Sequence, residues 1–289
     1  MKNMILIAES GSTKCDWLFY QGNHCVSETS TAGFNPYFHS EEWMIEQMRF
    51  NPQLVEMAHR VSSIYFFGAG CSREDLQQKV HRALNGFFSQ AQICVDHDLT
   101  AAAYATYNGK TAISCILGTG SNACRFNGNT VYSEVPSLAF ILGDEGSGSY
   151  FGKQLLAAFF YKQLPKEISD DLRTEYPGIS VDKIVKKVYQ TTHANVYLAS
   201  FMPFIYRWKS SDLIQGWLRK GFQHFLDNQV LCYQGVQEMP IHFVGSVAKF
   251  FEAELEATLV KNNLEMGQIV KQPAHALARF VLEQHEKRS

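Results

Sequence analysis

The chain has 289 residues, 46% hydrophobic and 19% charged, with a formal net charge of −2. This composition excludes a disordered chain, and the near-neutral charge without a long basic run argues against a nucleic-acid or membrane surface. The length suits one large domain or two ordinary ones.

Met1 to Ile7 holds one Lys and a short apolar run with no cleavage pattern. No apolar stretch reaches the roughly 18 residues of a membrane span, so a cytoplasmic protein is expected. Met4 to Ala8 reads as a strand, Glu9 to Lys14 as a polar turn and Cys15 to Tyr20 as a second strand. Gln21-Gly22-Asn23 turns the chain into a third. Ser40 can cap a helix that begins at Glu41 and that Pro52 interrupts. Ser72 is expected to cap a helix over Arg73 to Phe88, with Asp75 at its third position. The Ala-rich run after Asp98 predicts a helix starting near that residue.

Ala112 to Leu117, Gly118 to Asn122, Ala123 to Phe126 and Asn127-Gly128-Asn129 repeat the opening plan of strand, turn, strand, turn. Sliding the chain by 106 positions pairs Thr13 with Thr119, Gly22 with Gly128, Asn23 with Asn129, Ser27 with Ser133 and Glu28 with Glu134. A duplicated β-meander is the simple explanation, although both segments are rich in turn residues. Helices are expected over Tyr150 to Leu164, Asp212 to Tyr233, Val247 to about Asn262 and Pro273 to Glu286, with a strand at Ile241 to Val244. Strands alternating with helices indicate α/β sheets with covered faces.

The seven cysteines form no CxxC pair, so structural zinc and iron–sulfur clusters are not expected. The ten histidines, among them His97, His193, His242 and His275, show no HxH or HExxH pattern and read as surface or satisfied core residues.

Three apolar strands end in loops rich in Gly, Ser and Thr: Glu9 to Lys14, Gly118 to Asn122 and Gly245 to Ala248. Phosphate oxygens need many N–H donors at close range; Gly permits the approach and Ser and Thr add hydroxyls. Neither GxxxxGK[ST] nor a GxGxxG after a strand is present, which argues against a P-loop or dinucleotide fold. One such loop alone is no more than a hairpin turn; the set of three carries the signal.

That set resembles the actin–hexokinase superfamily, and within it the BadF/BadG/BcrA/BcrD-type ATPases and the N-acetylglucosamine kinases. In the resemblance, Glu9-Ser10-Gly11-Ser12-Thr13-Lys14 is the first phosphate motif and Gly118-Thr119-Gly120-Ser121-Asn122 the second. Val244-Gly245-Ser246-Val247 is the adenosine motif, and Gly143-Asp144-Glu145-Gly146-Ser147 completes the pattern. The implied fold is α/β, with two ribonuclease-H-like domains around a nucleotide cleft. They would span residues 1–112, with the terminal helix 272–289 packing back, and 113–271. The implied co-substrate is ATP with Mg²⁺, and the implied partner a small sugar.

The resemblance assigns ATP phosphates to Gly11, Ser12, Thr13, Lys14, Gly118, Thr119, Gly120 and Ser121, and the adenosine to Gly245 and Ser246. A sugar hydroxyl is a poor nucleophile near neutral pH, so a carboxylate that accepts its proton is needed. Asp98 holds that place in the family pattern, one strand before the second phosphate loop; locally it could equally be a helix cap, and Asp96 falls outside the motif. Asn35 and Asn122 take sugar-contacting places, Gly70 lines the same cleft, and Asp144 would contact a sugar hydroxyl or a metal-bound water. Glu9 stands where the family usually has Asp and would reach Mg²⁺ through water.

Two departures from the family pattern stand out, the first bearing on the acceptor and the second on helix packing. Pro136 to Leu142 replaces a Gly-Gly-Trp-Gly segment common in N-acetylglucosamine kinases, so any contact from that Trp is lost. Ala274 and Ala276 flank His275 where relatives often carry Gly.

The leading expectation is an ATP-dependent amino-sugar kinase acting on N-acetylglucosamine, with glucosamine and N-acetylmuramic acid as alternatives. A dehydratase-activating ATPase and a non-catalytic nucleotide- or sugar-binding regulator stay open beside it. Relatives are often dimers.

Overall fold

The computed structural model describes residues 4–288; Met1 to Asn3, the start of the short N-terminal run, and Ser289, the last residue of the expected terminal segment, lie outside the described residues. Two compact units divide the chain: residues up to Asn108 together with those from Gln272 onward, and Gly109–Lys271.

In the first unit β1 (Met4–Ser10), β2 (Lys14–Gln21), β3 (His24–Ala32), β4 (Val61–Gly68) and β5 (Gln92–His97) form one sheet of order β3-β2-β1-β4-β5. β1 pairs antiparallel with β2 and parallel with β4, and β4 pairs parallel with β5. Strand alternation sorts β1 between two cores. Met4, Leu6 and Ala8 face a core with Trp17, Phe34, Met44 and Leu84, under helices α1 (Glu41–Arg49), α2 (Pro52–Met57) and α3 (Glu74–Phe87). Ile5 and Ile7 face the other way, against α4 (Asp98–Thr106) and the terminal helix Ala274–Arg288. The small residues Ala101 and Ala105 let α4 and Leu277 and Ala278 of the terminal helix pack on that face.

The second unit repeats this sheet. β6 (Ala112–Leu117), β7 (Ser121–Phe126), β8 (Val131–Tyr132), β9 (Ile241–Val244) and β10 (Met266–Val270) lie in the order β10-β9-β6-β7-β8. Read from its other end this is the order of the first sheet, with the same parallel and antiparallel pairings. Residues 11–14 separate Ser10 from its partner Cys15, whereas only 118–120 separate Leu117 from Ser121. The second loop is therefore one residue shorter. The identities at an offset of 106 therefore lie within or after the loop, while the hairpin registers of β1 and β6 correspond at 107. β8 has two residues where β3 has nine, so the second meander is truncated.

Several expected boundaries shift for local reasons. Pro52 opens α2 at its first turn, where a missing N–H costs nothing, instead of only ending α1; Asn51 caps the new helix. Ser72 does not cap α3: Arg73 occupies the cap, and its guanidinium instead binds Asp75 at 2.8–2.9 Å. The helix expected from Tyr150 begins at Gly148 as α6 (Gly148–Phe160), after the short α5 (Ala139–Leu142), because Ser147 accepts from the Tyr150 N–H. The helix after Asp212 loosens into a wider turn over Leu226–Val230, and that after Ser246 breaks at Phe251. Among the described residues no helix is long and apolar enough to cross a membrane.

Candidate active site

In the first unit the candidate residues gather where the parallel strands end. Alternation continues Ile5 and Ile7 to Glu9, so its carboxylate lies on the face that α4 covers. Asp16 is directly opposite Glu9 on β2, and Asp98 is the first residue of α4. Three carboxylates thus share one corner. Burial, then the charges of Asp98 and Asp16, push the Glu9 carboxyl up to about 8, with Lys14 pulling weakly the other way. Lys14 is half exposed and pairs with Asp16 at 2.6 Å. Buried Cys71 lies close too: burial and then Asp98 and Asp96 push its thiol up to about 12.

Asp98 does not cap α4. His97 is the cap, accepting from the Leu99 N–H, and this leaves the Asp98 carboxylate in the first turn free of that duty. Asp96 is committed locally, accepting from its neighbour's backbone N–H at 2.6 Å and from Thr100 Oγ1 at 3.2 Å.

The first glycine loop is tied to the next segments by close backbone contacts. Ser10 Oγ accepts from the Phe34 N–H, and the Gly33 N–H donates to Thr13 O. A Cβ on Gly33 would stand 2.1 Å from Gly11 O and 2.9 Å from Lys14 N, so only Gly fits. The Ala69 N–H donates to Ser10 O, and Gly70 abuts Asn35, whose Oδ1 accepts from the Tyr37 N–H. The structure therefore brings Glu9, the Gly11–Lys14 loop, Asn35, Gly70 and Asp98 together within this unit.

The second unit assembles the others. The Ser121 N–H donates to Asp144 Oδ1 at 3.1 Å, and a Cβ on Gly120 would meet the same carboxylate at 2.9–3.0 Å. Asp144 takes a left-handed backbone at φ 57°, an uncommon conformation for a non-glycine residue. The Gly148 and Ser149 N–H groups donate to Gly118 O and Thr119 O, fastening the loop to the start of α6. Ser121 Oγ is buried with no hydrogen-bond partner among the described residues. Asn122 lies within β7, on the opposite face to Ser121, and its Oδ1 accepts from the following N–H.

Gly245 touches the base of the same loop. Its φ is 119°, and a Cβ there would stand 2.4 Å from Leu117 O. Ser246 follows as the first residue of a short helix. Gly245→Ala is expected to lose about 2 kcal/mol of stability through strain and overlap. Chemical denaturation checks it; an unchanged midpoint would show that Gly245 does not set the loop.

Sequence reasoning missed Asp16, His97 and Lys153. Strand register is the signal for Asp16, since the hairpin puts it opposite Glu9. Lys153 of α6 feels Asp144 and Glu145, and its amine donates to Phe140 O; burial lowers its pKa against their pull. The Pro136–Leu142 stretch exposes Leu138, Ile141 and Leu142. Cys124, close to the second loop in sequence, is fully buried.

No family model and no curated protein matches the sequence. Solved structures do. A protein from Porphyromonas gingivalis, provisionally assigned as an N-acetylglucosamine kinase, aligns at 31% identity over 97% of this chain and 99% of its own, with a TM-score of 0.90. The chain belongs to the same family, of the actin–hexokinase fold of sugar kinases. Two more distant sugar kinases share the fold. One, from Chromobacterium violaceum and with the same provisional assignment, has 14% identity over 97% of this chain and 98% of its own, with a TM-score of 0.72. A glucokinase from Streptomyces griseus, solved with glucose and AMPPNP, has 13% identity over 95% of this chain and 98% of its own, with a TM-score of 0.54.

Proposed function

We propose that this sugar kinase transfers the γ-phosphate of ATP to a hydroxyl of an amino sugar, with N-acetylglucosamine first among the acceptors. The carrying observation is the placement of Asp98. It opens α4 beside the first glycine loop, relieved of capping by His97. A carboxylate held there can take the proton of an acceptor hydroxyl as phosphoryl transfer proceeds. Within the family we place the chain with the BadF-type ATPases and N-acetylglucosamine kinases, on the motifs around Gly11, Gly120 and Asp144.

The loops suit the phosphates of a nucleotide. Each loop suits an anion by itself: Gly11 in one, and Gly118 and Gly120 in the other, allow close backbone approach, while Ser12, Thr13, Thr119 and Ser121 would supply hydroxyls and Lys14 an amine. The buried, partnerless Ser121 hydroxyl suits a further polar oxygen. Gly245 and Ser246 would take the adenosine. Asn35, Gly70, Asn122 and Asp144 would hold and orient the sugar, which sets the reacting hydroxyl toward Asp98.

Magnesium fits Glu9. The crowding of Glu9 with Asp16 and Asp98 disfavours its charge, the condition that a nearby cation relieves. Glu9, Asp16 and Asp98 are not placed to grip one ion together, nor are any other three His, Cys, Asp or Glu side chains among the described residues. Mg²⁺ commonly keeps several waters and enters with phosphates, so Glu9 would hold it through water. When bound, the ion neutralises phosphate charge; the chain's own residues position the reactants and move the proton.

A coupled ADP-release screen over N-acetylglucosamine, glucosamine, N-acetylmuramic acid and glucose, with the product identified by mass, tests this. Preferential release with N-acetylglucosamine and a monophosphorylated product is expected. Tight nucleotide binding without sugar-dependent release would replace the kinase by a binding regulator.

A further inference from the structure

His97 ends β5 with φ −80° and ψ 149°, the extended backbone of a helix cap. Its Nδ1 accepts from the Leu99 N–H at 3.2 Å. A ring nitrogen that accepts an N–H carries no proton, so the neutral imidazole bears its hydrogen on Nε2. That Nε2 lies 3.3 Å from Asp98 Oδ1, and the two side chains are only 20% and 24% exposed. Asp96 and Thr100 secure the same turn, through the His97 backbone N–H and the Asp96 carboxylate. One nitrogen of the ring is thus spent on the helix, and the other lies beside the carboxylate that opens it.

We infer that His97 is a positioning residue for Asp98: the cap fixes its tautomer, and its Nε2–H restrains the Asp98 carboxylate toward the acceptor hydroxyl. The inference rests on Asp98 as the base. A neutral donor suits that task better than a cation. A lysine or arginine at this distance would lower the basicity of the carboxylate, whereas the neutral imidazole orients it and leaves it able to take a proton.

The two nitrogens can be separated by substitution. His97→Asn places an acceptor near the Nδ1 position and so keeps the cap, but has nothing at the Nε2 position. His97→Gln reaches the Nε2 position with an amide donor and forfeits the short-range cap. For His97→Asn we expect an unchanged unfolding midpoint, a kcat lower by about tenfold and KM values within about twofold for sugar and ATP. For His97→Gln we expect a lower unfolding midpoint with kcat largely retained. In an Asp98→Asn background, His97→Asn is expected to cause no further loss of the residual rate, because a residue acting through Asp98 has nothing left to act on.

Wild-type kcat in His97→Asn overturns the inference, as does an equal loss with and without Asp98. Asp98→Asn measured alone separates the two levels: if it turns over like wild type, the base assignment fails, and the inference with it. If it is inactive while His97→Asn is unimpaired, only the role of His97 falls.

Discussion

Replacing Asp98 by Asn is expected to lower kcat by about 10²- to 10⁴-fold, the usual worth of a positioned general base, while nucleotide affinity stays nearly unchanged. The substitution conserves shape. It keeps the first residue of α4 and leaves the His97 cap on Leu99 intact. It removes a negative charge from a helix N-terminus, which costs roughly 0.3–1 kcal/mol. It also removes the largest charge effect on Glu9, and that relief works in the other direction. The folded protein should therefore be about as stable as wild type, so lost turnover cannot be ascribed to unfolding. ADP release at saturating sugar and ATP gives kcat, and calorimetric titration with a non-hydrolysed ATP analogue gives affinity. Turnover within about threefold of wild type would remove Asp98 from the chemistry and leave Asp96, already engaged by Thr100, as the remaining carboxylate of the turn.

The fold was largely legible in the sequence because its signals are local. Apolar runs of four to six residues ending in glycine-rich turns located the leading strand of each meander, and the repeat predicted two related sheets. Gly33 carried no reading of its own in the sequence. That it must be glycine became clear from the 2.1 Å that a Cβ would leave to Gly11 O, a contact between segments more than twenty residues apart. The carboxylate cluster was hidden for the same reason. Glu9 was read as part of the polar turn, but the strand continues through Ser10 and pairs Glu9 with Asp16. A single residue's error in that boundary changes which face a side chain occupies. His97 was read as an ordinary satisfied histidine; it is satisfied, but by the helix it caps, and cap identity depends on backbone angles that sequence does not specify. Arg73 taking the cap expected of Ser72 makes the same point.

The misread boundary at Glu9 also governs the second large effect, a pH dependence of stability. The folded pKa of Glu9 is about 8 against an ordinary 4.5, so between these values the folded chain binds the proton more tightly than the unfolded chain. Stability then falls as pH rises through this window; below about 4.5 the carboxyl is neutral in both states and the loss vanishes. A shift of this size corresponds to at most about 5 kcal/mol once Glu9 is fully ionised. Glu9→Gln, neutral at every pH, is expected to match wild type near pH 4 and to exceed it increasingly toward pH 9, when both are compared by denaturant unfolding in EDTA. Titrations elsewhere occur in both proteins and cancel in the comparison. An equal difference at pH 5 and pH 9 would mean that Glu9 ionises freely and that the crowding with Asp98 and Asp16 is not felt. Adding Mg²⁺ and nucleotide at pH 8.5 should then stabilise wild type more than Glu9→Gln, because only the wild-type carboxylate gains from the added positive charge. If the proposed function holds, a cation beside the three acids would relieve their mutual repulsion, and the Glu9 carboxylate would be better tolerated with it than without it.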